Sequence, residues 1–190
     1  MNWNLKEILN KNEFYNEALS LIRQNSKNKI YLVGSFVYKS ILYGNIDSQK
    51  EIDFVVNVLN EDISLINEWK IKINKFGHPS FIKQDYQIDP IQLTKHINIV
   101  RKNLSPTIES YLVSVPLNIQ SIAYDLDENK LIGNEGIKAI QNKIIKLNNK
   151  DHARYSCEHF YGYSVNDMIM RVANSFGFDY ELNKQGEKHE

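Results

Sequence analysis

The chain has 190 residues, 42% of them hydrophobic, with 23 basic and 23 acidic side chains. That length supports one real core and a small appendage, and balanced charge without a basic stripe argues against a protein that holds nucleic acid through many phosphates. No 18-residue apolar run is present and the start MNWNLKEILN lacks an h-region and cleavage site, so the expectation is a cytoplasmic chain with no membrane partner.

One cysteine, Cys157, excludes an internal disulfide framework. The basic residues are 19 Lys against 4 Arg, so rigid bidentate phosphate forks are few.

In chain order, Leu5, Ile8, Leu9 and then Phe14, Ala18, Leu19, Ile22 recur at helical spacing, which predicts one broken or two short amphipathic helices. KIYLVG reads as a buried strand. Phe36, Val37, Ser40 and Ile41 then predict a short helix that begins just after Gly34-Ser35 and stops at Gly44. EIDFVVNVL is β-branched and apolar, a central strand. Ile63, Ile66, Trp69, Ile73 and Phe76 fall on one helical face, predicting a helix through EDISLINEWKIKINKFGH. PSFIKQ and YQIDPIQLT read as two strands joined at Asp85-Tyr86, with Pro90 placing the second at an edge or a bulge. Pro106 and Pro116 each follow a potential cap and read as helix starters, the second opening PLNIQSIAYDL. A turn at DENK, a strand around Leu131, the helix NEGIKAIQNK and the strand IIKL complete an α+β unit. From Asp151 the pattern turns helical, with VNDMIMRVANSFGF closed by Gly177 and the polar tail NKQGEKHE. The expected division is 1–150 as the main unit, N-terminal helices included, and 151–190 as a helical extension.

Side chains of a strand alternate faces, so Glu51 and Asp53 point the same way while Ile52 points into the core. Two carboxylates on one side can share a hard divalent cation, which keeps water and substrate phosphates as its remaining ligands. Asp89, on a strand that can lie beside the first, is the third candidate ligand. Gly34 lets backbone approach a phosphate, the helix after it offers free N–H groups, and Ser35 adds a hydroxyl donor. Lys39, one turn later, can add charge on the same face. Each residue alone has an ordinary structural explanation: Gly-Ser is common turn material, an acidic pair at a strand end is commonly solvated, and Lys39 suits an exposed helix face. Their order and spacing together point to a phosphate-and-metal cleft.

These residues resemble the nucleotidyltransferase superfamily typified by DNA polymerase β, whose signature is Gly-Ser, a spacer, an acidic-x-acidic pair and a later acid. YLVGSFVYKSILYG with EIDFVV is most similar to the head domain of CCA-adding tRNA nucleotidyltransferases and bacterial poly(A) polymerases, and LNIQSIAYDLDENKLIGNEGIKAIQNKIIKL looks like that head's second half. MRVANSFGFDYE resembles the stretch that opens the family's helical neck. The resemblance spans roughly residues 29–181 and implies an α+β fold, a nucleotidyltransferase-type mixed sheet flanked by helices, with N-terminal helices and a short C-terminal helical extension. It also implies Mg²⁺, as two ions on Glu51, Asp53 and Asp89, with Asp89 as the base and an NTP as substrate.

Departures from the pattern matter. The family's Arg-Asp after the glycine turn is Tyr38-Lys39 here, and its ribose and triphosphate motif reads SVPLNIQ, which leaves Gln120 as the polar remnant. The neck arginines shrink to Arg171. The chain stops where a tRNA enzyme would continue into further domains, so a tRNA acceptor is not expected.

The leading expectation is an Mg²⁺-dependent nucleotidyltransferase acting on a hydroxyl of a small molecule or another non-tRNA acceptor, a size and pattern shared with enzymes that adenylylate antibiotics. Two alternatives stay open. One is a toxin-like enzyme that modifies RNA 3′ ends and needs a basic surface assembled in three dimensions or in a homodimer. The other is a degenerate head that binds nucleotide or a partner without transfer. Cys157, His152 and His159 lack a fourth ligand for zinc, and His96 reads as a surface histidine. Tyr31, Tyr38, Tyr43 and the group Tyr155, Phe160, Tyr161, Tyr163 could stack a base or pack a core.

Overall fold

The computed structural model describes residues 4–26, 28–66, 68–74, 77–93, 95 and 105–183. Phe76, His96 and residues 184–190 of the polar tail lie outside them. Two short N-terminal helices, α1 (Leu5–Asn10) and α2 (Glu13–Asn25), are separated by Asn12, whose side chain accepts the Tyr15 N–H as a cap. They lead into β1 (Ile30–Val33), α3 (Gly34–Tyr43) and β2 (Glu51–Val56). Next come β3 (Lys70–Ile73), β4 (Pro79–Lys83) and β5 (Tyr86–Gln92), and then α4 (Ile108–Ser114). A 3₁₀ turn (Asn118–Gln120) precedes β6 (Ala123–Asp125), β7 (Lys130–Ile132), α5 (Asn134–Asn142) and β8 (Ile144–Ile145). The chain closes with α6 (Lys150–Ser156), a π-helical turn (Cys157–Tyr161), α7 (Val165–Phe176) and β9 (Asp179–Tyr180).

Among the described residues the main sheet has the order β3-β4-β5-β2-β1-β6-β7. β2 and β5 run parallel and the other neighbours antiparallel, so the sheet is mixed. Strand alternation sorts side chains to its two faces. Leu32, Ile52, Phe54, Val56 and Ile88 join the large core under α1, α2 and α3. Val33, Val55 and Ala123 pack on the opposite face against Ile108, Tyr111 and Leu112 of α4. Glu51 and Asp53 share the parity of Val55, and Asp89 shares that of Ile91, so all three acids belong to the α4 face. The large core also takes in Met168, Ile169, Ala173 and Phe178, which ties the C-terminal segment to the same packing as Leu5.

Three elements differ from the sequence reading. Among the described residues the helix expected over 61–78 is absent: residues 61–66, 68 and 69 are irregular and β3 follows, whose ladder with β4 pairs Lys70 with Ile82 and Ile73 with Pro79. Trp69 is buried, whereas Ile73, expected beside it on one face, is 62% exposed on an edge strand. The KIKI alternation suits a strand as well as a helix, and edge pairing decided between them. The second difference is at PLNIQSIAYDL, which makes one 3₁₀ turn and then β6, because Tyr124 pairs with Leu32 and the strand hydrogen bonds to β1 replace helical ones. Neither proline opens a helix: α4 starts at Ile108 with Thr107 as cap and Ser110 completing a capping box, and Pro116 follows the end of α4.

The third difference concerns β5, which is interior, between β4 and β2. Its register with β4 runs from Lys83–Tyr86 to Phe81–Ile88, around a turn at Gln84-Asp85 in which Gln84 has φ of 52°. Pro90 therefore lies beyond the last β4 pair, where its missing N–H leaves no ladder bond unmade.

Candidate active site

Parallel pairing of β2 with β5 sets Asp53 directly opposite Asp89, and Glu51 opposite Gln87. Antiparallel pairing of β1 with β2 sets Val33 opposite Asp53, so the chain leaves β1 and enters α3 beside the same carboxylate. Gly34 makes that turn with φ of 70°, a conformation that suits a residue without Cβ, and a Cβ added there would collide with Asp53 Oδ2. α3 starts with no side-chain cap, so its first N–H groups keep their donor capacity beside the carboxylates.

Gly34, Ser35, Glu51, Asp53, Asp89 and Gln120 line one cavity of about 500 Å³. Tyr38, Tyr111, Phe160 and Tyr161 wall it with aromatic rings, and Asn74 and His78 close the side nearest Asp89. Lys39 is elsewhere: its ammonium donates to Gln49 Oε1 at 2.8 Å. Arg171 is also off the cavity wall, with its guanidinium carbon 4.7 Å from the centre of the Tyr163 ring.

The electrostatics of Asp53 follow from this arrangement. Asp53 is half-buried, and its pKa is raised to about 7, first by burial, then by the charge of Asp89 and then by that of Glu51. The phenols of Tyr38 and Tyr111 are pushed up, first by burial and next by the charge of Asp53. No described Lys or Arg forms an ion pair with Glu51, Asp53 or Asp89.

Among the described residues Asp89 is held by three donors. Ser80 Oγ and Asn74 Nδ2 reach Oδ1, the latter at 3.4 Å, and Gln87 Nε2 reaches Oδ2 at 2.8 Å. A carboxylate accepts about four hydrogen bonds, so one direction remains for a further partner. Gln120 spends its Oε1 on the Leu117 N–H at 3.0 Å, which leaves its amide NH₂ as the group it offers to the cavity.

The expected metal set fits in reduced form. Among the described residues no three His, Cys, Asp or Glu side chains are arranged to hold a metal ion by themselves. Asp53 and Asp89, opposed in register, crowded and without an ion-pair partner among the described residues, are oxygen donors that a hard cation would relieve. Glu51 is exposed, one pleat further out. Magnesium is commonly bound by one or two carboxylates with substrate phosphates completing its shell.

Sequence reading missed the residues that hold Asp89. Gln87 could have been found, two residues earlier on the same strand face. Ser80 follows from the hairpin register, which places it opposite Asp89, and needed the turn at Gln84-Asp85 rather than Asp85-Tyr86. The Cys157, His152 and His159 group is engaged separately: His152 Nδ1 meets the Ser114 carbonyl at 2.6 Å, His159 Nδ1 meets the Tyr155 carbonyl at 2.9 Å, and Cys157 is buried.

No family model matches the sequence. No curated protein matches it either. Solved structures do match in fold. A CCA-adding enzyme with CTP superposes with a TM-score of 0.60 at 17% identity over 96% of this chain and 44% of that one. The Thermotoga maritima CCA-adding enzyme complexed with tRNA gives 0.56 at 18% identity over 94% of this chain and 42% of that one. A tRNA-processing enzyme with CTP gives 0.53 at 19% identity over 81% and 40%. The chain thus has the α+β fold of part of these enzymes and spans less than half the length of each. No helix among the described residues is long and apolar enough to cross a membrane.

Proposed function

We propose that the protein moves a nucleotidyl group from an NTP to a hydroxyl acceptor other than tRNA, with a small molecule as the acceptor class the cavity suits best. The observation that carries this reading is the pairing of Asp53 with Asp89 beside the Gly34-Ser35 turn, inside one cavity of a chain with the fold of CCA-adding enzymes. The aromatic and apolar walls supplied by Tyr111, Val115, Pro116 and Phe160 favour a compact organic acceptor over an extended polyanion.

In this reading the triphosphate lies over the start of α3, where Ser35 Oγ and the first N–H groups donate to its oxygens. The amide of Gln120 donates to the ribose or a phosphate. Asp53 and Asp89 would hold Mg²⁺, with Glu51 reaching in from the rim toward a second ion; the metal supplies charge neutralisation at the phosphates and acidifies an acceptor hydroxyl. Asp89, fixed by Ser80 and Gln87, gives its open lone-pair position to the ion and takes the acceptor proton where the long Asn74 contact at 3.4 Å gives way. The acceptor oxygen forms a bond to the α-phosphorus in line with the bond that breaks, and pyrophosphate leaves.

The test is label transfer from each α-labelled NTP in Mg²⁺ to separate pools of metabolites, protein and tRNA. Transfer to a metabolite is expected, reduced about 10³-fold or more by Asp53→Ala, the scale of losing a transition-state charge contact. Label appearing only in tRNA, or transfer indifferent to Asp53→Ala, contradicts the proposal. A second reading, nucleotide binding without transfer, draws on the exposed position of Glu51 and the two-carboxylate remainder; NTP binding with no transfer to any pool would favour it.

A further inference from the structure

We infer that Tyr161, backed by Tyr163 and Arg171, is the stacking platform for the base of the nucleotide, and that this site accepts all four bases with purines held more tightly. The inference rests on the nucleotide reading of the cavity and assigns a role to an aromatic group that the transfer chemistry leaves unused.

Local backbone geometry supplies the first observation. α6 runs into a π-helical turn at Cys157–Tyr161, closed by Gly162 at φ of 70°, whose N–H donates to the Cys157 carbonyl at 2.9 Å. The wider turn lets Phe160 and Tyr161 both follow His152 and Ser156 onto the cavity wall. Such turns are rare and concentrate at functional sites.

The second observation is the stack itself. The rings of Tyr161 and Tyr163 lie 5.4 Å apart with planes only 10° from parallel, and the Arg171 guanidinium lies over Tyr163 at 4.7 Å. The layers therefore run from the cavity (Tyr161) through Tyr163 to a cation at the surface. Tyr161 is 40% exposed, too open for a core-packing pair.

Chemistry decides what such a surface takes. A triphosphate belongs with the N–H groups at Gly34-Ser35, whereas a flat ring fits against another flat ring. Every base has a π-face, so a platform built from stacking discriminates weakly among bases. Arg171 touches no substrate in this arrangement; it acts as a positioning residue by fixing the Tyr163 ring.

The experiment compares binding of ATP, GTP, CTP, UTP and inorganic tripolyphosphate, each with Mg²⁺, to the parent, Tyr161→Ala and Tyr161→Phe by titration calorimetry. The parent should bind every NTP about tenfold or more tighter than tripolyphosphate, with ATP and GTP ahead. Tyr161→Ala should lose that advantage while tripolyphosphate affinity stays within about twofold, which also shows that the variant is folded, and Tyr161→Phe should keep it. Equal parent affinity for NTP and tripolyphosphate, or an NTP advantage that survives Tyr161→Ala, overturns the platform alone. Loss of tripolyphosphate binding together with NTP binding in Tyr161→Ala also overturns it. If the parent binds neither ligand, the nucleotide reading fails and takes the platform with it.

Discussion

Asp53 is placed for charge it cannot comfortably carry. Its folded pKa of about 7 exceeds the unfolded value of about 3.9, so the native state binds the proton more tightly. Its contribution therefore favours folding below about pH 4 and is lost as pH rises through about 7. In metal-free protein Asp53→Asn should raise Tm by about 2–4 °C at pH 8, the effect of about 1 kcal/mol in a domain of this size, and by about a third as much at pH 5, just inside the window between the two pKa values. Thermal melts of both proteins at the two pH values check this; an equal gain at both would deny the charge its cause. Gly34 carries the opposite expectation. Gly34→Ala combines a left-handed φ with a collision against Asp53, and should cost about 1–3 kcal/mol in denaturant unfolding as well as transfer activity.

At this scale Gly34, Ser35, Asp53 and Asp89 were legible in the sequence, because a period-two strand and a glycine at a strand-to-helix turn leave local marks. Lys39 and Arg171 do not line the cavity. Lys39 turns to Gln49, and Arg171 stacks on Tyr163, through contacts that local periodicity does not encode.

Among the elements, β4 and β5 matter most for chemistry. Their hairpin puts Ser80 opposite Asp89, and Gln87 shares the Asp89 face, so the third carboxylate is aimed by its own hairpin. Ser80→Ala and Gln87→Ala should each lower kcat by about 10- to 100-fold, the usual effect of removing a partner that orients a metal ligand. Their Tm should stay within a few degrees. Unchanged kcat in both variants would show that Asp89 needs no such support. Strands with strong apolar character, β1 and β2, were readable, as were α3 and α7 with their glycine stops at Gly44 and Gly177. β3 and β6 were misread as helix because each is only three or four residues long: the spacing of β3 also fits a helical face and pairing with the nearby β4 decided it, whereas β6 takes its hydrogen bonds from β1, far away in the chain.

Over the whole molecule, a single core reaches from Leu5 in α1 to Phe178 after α7. β8 and β9 pair Ile144 with Asp179 and Ile145 with Tyr180, joining the segment before residue 150 to the one after it. Such sharing predicts one cooperative unfolding transition, and predicts that a chain ended at residue 150 does not reach the native fold. Urea unfolding followed by both circular dichroism and Tyr fluorescence tests the first statement; two separated transitions would show that 151–183 is an independent unit. The same packing presents the aromatic rim, Tyr155, Phe160 and Tyr161, to the cavity whose floor holds Asp53.

The most direct measurement is a crystal structure of the protein with Mn²⁺ and a non-hydrolysable NTP. Anomalous density bonded to both Asp53 and Asp89, with the triphosphate over Gly34 and Ser35, is the predicted result. A nucleotide seated outside this cavity, or a manganese ion that leaves those two aspartates untouched, would contradict it.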